Sequence, residues 1–139
     1  MGEEIQKIEK LCENMNKIKE FDILTLFHTA LKKLTNHVNN YLGDYPTFIE
    51  PVHLEKNVKI GDDVLLGPNV YIGANSIIGD YVEISNSIVL DNVNIGENFK
   101  IENCIILKDS KLTFSNLNIR DSILAGSANS KEELRIIKI

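Results

Sequence analysis

The chain of 139 residues has no tryptophan, two cysteines, three prolines and nine aromatic side chains in all. Cys12 and Cys104 stand far apart, in segments of different character and without a Cys or His neighbour. Neither a disulfide framework nor a zinc site follows from that spacing, and both read as buried thiols. No apolar run approaches the roughly 18 residues that a membrane-crossing helix needs. The first residues, MGEEIQKIEKLCENMNKIKE, also lack the apolar core of a signal peptide. The expectation is a cytoplasmic protein with no membrane partner. A stripe of Lys and Arg with interleaved aromatics is missing too. Basic and acidic residues number 6 and 6 over 1–43, 2 and 9 over 44–98, and 7 and 5 over 99–139. The acidic middle would repel a phosphate backbone, so nucleic acid is not expected as a partner. A small anion finds cations only in the last third.

What is present is patterning of two kinds. Over the first 42 residues, apolar side chains follow helical spacing: Ile5, Ile8, Cys12 and Met15, then Leu24, Phe27, Leu31, Leu34, Val38 and Tyr41. The two stripes are out of phase, which places a break at Lys19 to Asp22, with Asp22 suited to cap the second helix. Gly43 suits the left-handed residue that closes it. The segment GDYPTFIEP then reads as a bridge in which Pro46 and Pro51 forbid helix.

Beyond residue 52 an aliphatic side chain recurs every six positions: Leu54, Ile60, Leu66, Ile72, Ile78, Ile84 and Leu90. Two positions before the later six stand Val58, Val64, Val70, Ser76, Val82 and Ile88. Gly61, Gly67, Gly73 and Gly79 follow four successive rungs. After Leu90 the register slips by one, through Val93-x-Ile95, Phe99-x-Ile101 and Ile105-x-Leu107, and Ile123 closes the array. Sandwich strands recur irregularly at 8–12 residues, whereas a strict period of six is the mark of a hexapeptide β-helix. Its corners need backbone in the left-handed region, which Gly, Asn and Asp supply. Asn57, Asp63, Asn69, Asn75, Asn92, Asn98 and Asn116 stand where those corners fall. Three strands make a coil of 18 residues, so Val58 to Ile123 spans between three and four coils.

The predicted architecture is mainly β. A helical segment at 1–43 and a linker at 44–51 precede a short parallel β-helix at 52–126 and a tail at 127–139. The helices are expected to cap the N-terminal end of the prism or to pair with copies of themselves.

The stretch VKIGDDVLLGPNVYIGANSIIGDYVEISNSIVLDNVNIGENFKIENCIIL resembles the left-handed β-helix of the hexapeptide-repeat superfamily. Within that superfamily it resembles the C-terminal domain of sugar-1-phosphate nucleotidyltransferases, including the bifunctional enzymes that acetylate glucosamine-1-phosphate. FDILTLFHTALKKLTNHVNNYL is similar to the helical segment that precedes the prism there. The resemblance implies a homotrimer, acetyl-CoA as co-substrate, an amino-sugar phosphate as acceptor and a histidine as general base. No Gly-rich nucleotidyl-transfer half is present. Against the histidine-bearing motif of the acetylating relatives, KLTFSNLNIRDSILAG aligns Lys111, Asn116, Asp121 and Ser122, but Phe114 falls at the histidine.

His53, the one histidine within 52–126, is the remaining candidate base, and no partner to orient its ring is evident in the sequence. Lys108, Lys111, Asn116 and Arg120 are the candidate substrate- or anion-binding residues. No metal is expected: His28 and His37 lie nine apart without ligand spacing, and Asp62, Asp63 and Asp91 read as corner carboxylates that accept turn amides. Two functions follow. One is an acetyl-CoA-dependent acyltransferase of sugar-nucleotide metabolism. The other is a non-catalytic oligomerisation or regulatory subunit that partners a separate nucleotidyltransferase.

Overall fold

The computed structural model describes residues 2–13, 20–38, 41–43 and 45–139, without the side chains of 20–22. Met15 and Lys19 lie outside the described residues. Two helices, α1 (Gly2–Leu11) and α2 (Glu20–Lys32), precede a parallel β solenoid of about five turns. Its first face stacks Tyr41–Gly43, Val58–Ile60, Ile77–Ile78, Asn94–Ile95, Lys111–Leu112 and Ser127–Ala128. Its second and third faces begin with Thr47–Phe48 and Val52–Leu54. Phe99–Ile106 and Leu117–Ala125 each run unbroken from the second face into the third.

All seven expected corner residues have positive φ, between 54 and 68°. The corners also hold one another. Side-chain amides donate from one coil to the next at 2.8–3.1 Å: Asn57 to Asn75, Asn69 to Asn86, Asn92 to Asp109, and Asn103 to Asp121. Each such bond is worth about 1 kcal/mol, so one residue type serves both the backbone and the stacking. The glycines work otherwise than expected. Of the rung glycines only Gly67 has positive φ, at 110°. At Gly61 and Gly73 a Cβ would stand 2.3 and 2.5 Å from Oδ1 of Asp80 and Asp91. Those oxygens accept the amides of Asp62 and Ala74, both at 2.9 Å. The missing side chain makes room for a carboxylate that ties one coil to the next.

Several boundaries differ from the sequence expectation. Helix α2 ends at Lys32, and Asp22 lies inside it instead of at its cap. Tyr41–Gly43 is a strand paired with Val58–Ile60, and a Cβ on Gly43 would stand 1.9 Å from the Ile60 carbonyl oxygen. Val38 and Tyr41 therefore pack on the prism core with the first coil, which lacks the sixfold glycines and reads as a linker, while Leu34 stays with the helices. That coil raises the count from fewer than four to about five. The 127–139 segment is likewise no tail. Ser127–Ala128 stacks on Lys111–Leu112, and Arg135–Lys138 pairs antiparallel with 122–125.

The register slips one rung earlier than the repeat suggests. Val70 pairs with Ser87 and Ile72 with Val89, so Ser87 and Val89 point inward. Ile88 and Leu90 point outward, and a shift of one residue reverses every side chain of a strand. Cys104 and Ile106 replace the expected Ile105 and Leu107 in the interior, and Ile123 also faces out. Buried serines close the small rungs: Ser87 Oγ donates to the Ser85 carbonyl at 2.7 Å and accepts the Cys104 amide at 3.1 Å. Phe99 is buried, its ring 5.0 Å from that of Phe114.

The outward residues of the third face explain the helices. Tyr71, Ile88, Leu90, Ile105, Leu107, Ile123 and Ala125 form one apolar cluster with Ile5, Ile8, Cys12, Ile23, Phe27, Ala30 and Leu34. The helix pair covers the flank of the prism and does not cap its end. Apolar side chains on both sides of a strand need cover on both sides, and each buried Ile or Leu contributes roughly 1.5–3 kcal/mol. Lys33 Nζ meets Glu4 Oε1 at 2.5 Å and clamps α2 to α1. That ammonium holds the Glu4 carboxyl down at about 2.

Candidate functional site

His53 occupies the middle of Val52–Leu54 and points outward from the first coil. In-register stacking places its ring between two others. His37 lies 5.1 Å away at an interplanar angle of 29°, and Tyr71 lies 5.4 Å away at 15°. His37 is not on a helix: its backbone bridges to His53, with the His37 amide donating to the Val52 carbonyl at 2.8 Å. His28 does lie on α2, beside Phe27.

Glu55 ties the group together. Its Oε1 is 3.3 Å from His53 Nε2 and accepts the Tyr71 hydroxyl at 3.2 Å. His53 Nδ1 is buried and has no hydrogen-bond partner among the described residues. Burial, then the carboxylates of Glu55 and Asp91, push the Tyr71 phenol far up, so it stays protonated and acts as a donor. A carboxylate beside an imidazole can orient a general base. Glu55 takes Nε2, however, and the remaining nitrogen, Nδ1, is buried, so a base at His53 would need one of them freed. Glu55 follows His53 at the strand period of two, and Tyr71 follows it by one coil of 18. Both intervals are present in the sequence, but the pairing emerges only once the chain is wound.

The candidate anion-binding residues do not converge. Lys108 stands at the corner after the third face, where its charge opposes the upward push that burial and Asp91 give the Glu9 carboxyl. Lys111 lies on the first face and donates to the Asn92 carbonyl at 2.6 Å. Asn116 accepts from Asn98 in the corner ladder. Arg120 is on the second face, 3.7 Å from Glu102 Oε1 and 3.5 Å from Asp121 Oδ2. Lys108 and Lys111 flank one corner, and Arg120 lies on a different side of the prism. Their coils are three to four removed from His53, about 14 Å or more along the axis at the usual strand spacing.

Phe114 packs against the prism core beside Phe99, at the position the acetylating motif gives to its histidine. Asp91 accepts a turn amide, as a corner carboxylate should. Among the described residues no group of three or more His, Cys, Asp or Glu has metal-binding geometry, and no helix is long and apolar enough to cross a membrane. Burial raises both thiols, Cys12 and Cys104, to about 11.

The family model described as the GMPPB C-terminal domain matches residues 48–139, more than half of the chain. No curated protein matches it.

Proposed function

The chain belongs to the GMPPB C-terminal domain family, the hexapeptide-repeat β-helix of sugar-1-phosphate nucleotidyltransferases, and we propose that it works there by association, as a non-catalytic assembly or regulatory subunit for a separate nucleotidyltransferase. The observation that carries this reading is the scatter of its candidate chemistry. Of the cations implied to hold a phosphate, Lys111 and Arg120 face different sides of the prism and engage a carbonyl and carboxylates. The one histidine with an orienting carboxylate sits at the opposite end. Acyl transfer needs base, acceptor and thioester within about 3–3.5 Å of one another. A flat-sided prism supplies no deep pocket for them by itself.

A second reading rests on one specific feature, the His53–Glu55 pair with Tyr71 beside it. In an oligomer, a neighbouring prism would bring an acceptor and acetyl-CoA to that imidazole. Thiol release from acetyl-CoA with glucosamine-1-phosphate, run beside light scattering, separates the two readings. Association without thiol release is the expected result. Turnover that His53→Ala abolishes would establish the acyltransferase instead.

A further inference from the structure

We propose that the first face and its corner with the second face form a docking strip for an extended, arginine- or lysine-bearing segment of a partner protein. This rests on the associative reading above and identifies the kind of chain that is bound. The described helices cover the third face and not the first. Leu42 and Ile77 point outward there and are 56 and 40% exposed, with Lys59 between them. They line two adjoining shallow grooves of about 300 and 370 Å³. Gly61 and Gly79 line the wider groove with backbone, the space of their missing side chains being filled by Asp80 and by the Gly96 carbonyl of the next coil.

The rim is aromatic and acidic. Thr47, Leu65 and Glu83 are in register, which sets Tyr45, Asp63 and Tyr81 in one column along the corner. Tyr45 is 97% exposed and Tyr81 58%. Two coils separate them, about 10 Å. Tyr81 has φ 58°, and among the described residues the other eleven non-glycine residues with positive φ are all Asn or Asp. A bulky side chain is disfavoured in that region, so the exposed ring is held at a cost in backbone stability. Asp62, Asp80 and Glu97 form the neighbouring column.

Charge and area decide the occupant. Along the face and this corner, the four carboxylates of Asp62, Asp63, Asp80 and Glu97 outnumber the ammonium groups of Lys59 and Lys111. Such a rim favours cations and repels nucleic acid and anionic lipid. Six strands at the usual spacing make the face roughly 24 Å long and about 10 Å wide, or about 240 Å². A stable dimer buries about 800 Å² per partner, so the strip suits an extended segment better than a second prism. Alternate side chains of such a segment enter the Leu42–Ile77 groove. The others place cationic groups on the carboxylates and over the rings of Tyr45 and Tyr81.

The test titrates a fluorescein-labelled heptapeptide of alternating Arg and Leu into the full chain by polarisation, beside the same peptide with Glu for Arg. The basic peptide is expected to bind, weaken with salt and shift the amide signals of Leu42, Ile77 and Tyr81, while the acidic peptide does not bind. Tyr81→Asn is expected to weaken binding at least tenfold while raising Tm by a few degrees, because Asn suits the corner backbone. Asp63→Asn, which keeps the corner, is expected to weaken binding several-fold. Equal binding of the two peptides, unchanged affinity in Tyr81→Asn, or shifts confined to the third face would each overturn the proposal. Thiol release alongside peptide binding would remove only the non-catalytic reading. A complex with a nucleotidyltransferase, formed by a chain that does not bind the peptide, would remove only the docking strip.

Discussion

Ser87 stands opposite Val70, seventeen residues along instead of eighteen. That one missing residue turns Ile88 out of the prism and into the cluster built with α2. Ile88 and Ile77 are therefore a matched pair of outward isoleucines, one fully covered and one 40% exposed. A charge buried without a partner is among the few single changes that cost more than about 3 kcal/mol. Ile88→Asp is expected to lose about that much, with the helical signal melting ahead of the β signal in a urea titration. Ile77→Asp, on the open face, should stay within about 0.5 kcal/mol. Equal losses at both positions would show that the helices do not cover the third face.

Much of the prism was legible because its rules are local. The period of six located the rungs from Leu54 to Ile84, and Asn or Asp at seven corners located the left-handed backbone. The repeat misled where both sides of a strand are apolar. In Ser87-Ile88-Val89-Leu90 and in Cys104-Ile105-Ile106-Leu107 the larger side chains face the helices, and a small Ser or Cys faces in. Size alone then chooses the wrong side. His53 was legible as a candidate, but Glu55, Tyr71 and His37 were not tied to it, because their contacts depend on coil winding and on where α2 stops.

The corner ladders give a separate expectation. Asn103 has φ 55° and donates to Asp121 at 2.8 Å. Asn103→Ala loses both the tolerance of that backbone and the bond, for about 1–3 kcal/mol. Asn103→Gly loses the bond but keeps the backbone, so it should cost less in a chemical denaturation series. An alanine variant as stable as the glycine variant would show that backbone conformation does not matter at the corner.

The Glu4–Lys33 clamp sets a pH dependence. With Glu4 held at about 2 against an ordinary 4.5, its contribution to stability is complete above pH 4.5. It is lost as pH falls from there through 2. Circular dichroism of the helices should therefore show acid destabilisation in that window, and Glu4→Gln should remove that component. A profile unchanged by the substitution would mean that the clamp does not couple α1 to α2.

Both thiols should be inert in the folded chain. Cys12 and Cys104 are buried and held at about 11, so each is protonated at pH 8. The thiolate is the reactive form. Reaction with a disulfide reagent is expected to be slow in buffer and immediate in denaturant. Rapid labelling of Cys12 in buffer would show that the helix pair lifts from the third face.

Association is the central claim, and sedimentation velocity tests it most directly. The chain is mixed with a sugar-1-phosphate nucleotidyltransferase that lacks a β-helix of its own. One faster boundary containing both proteins is the expected result, and it should persist in His53→Ala. Two independent boundaries, with the chain a lone monomer at every concentration, would contradict the claim.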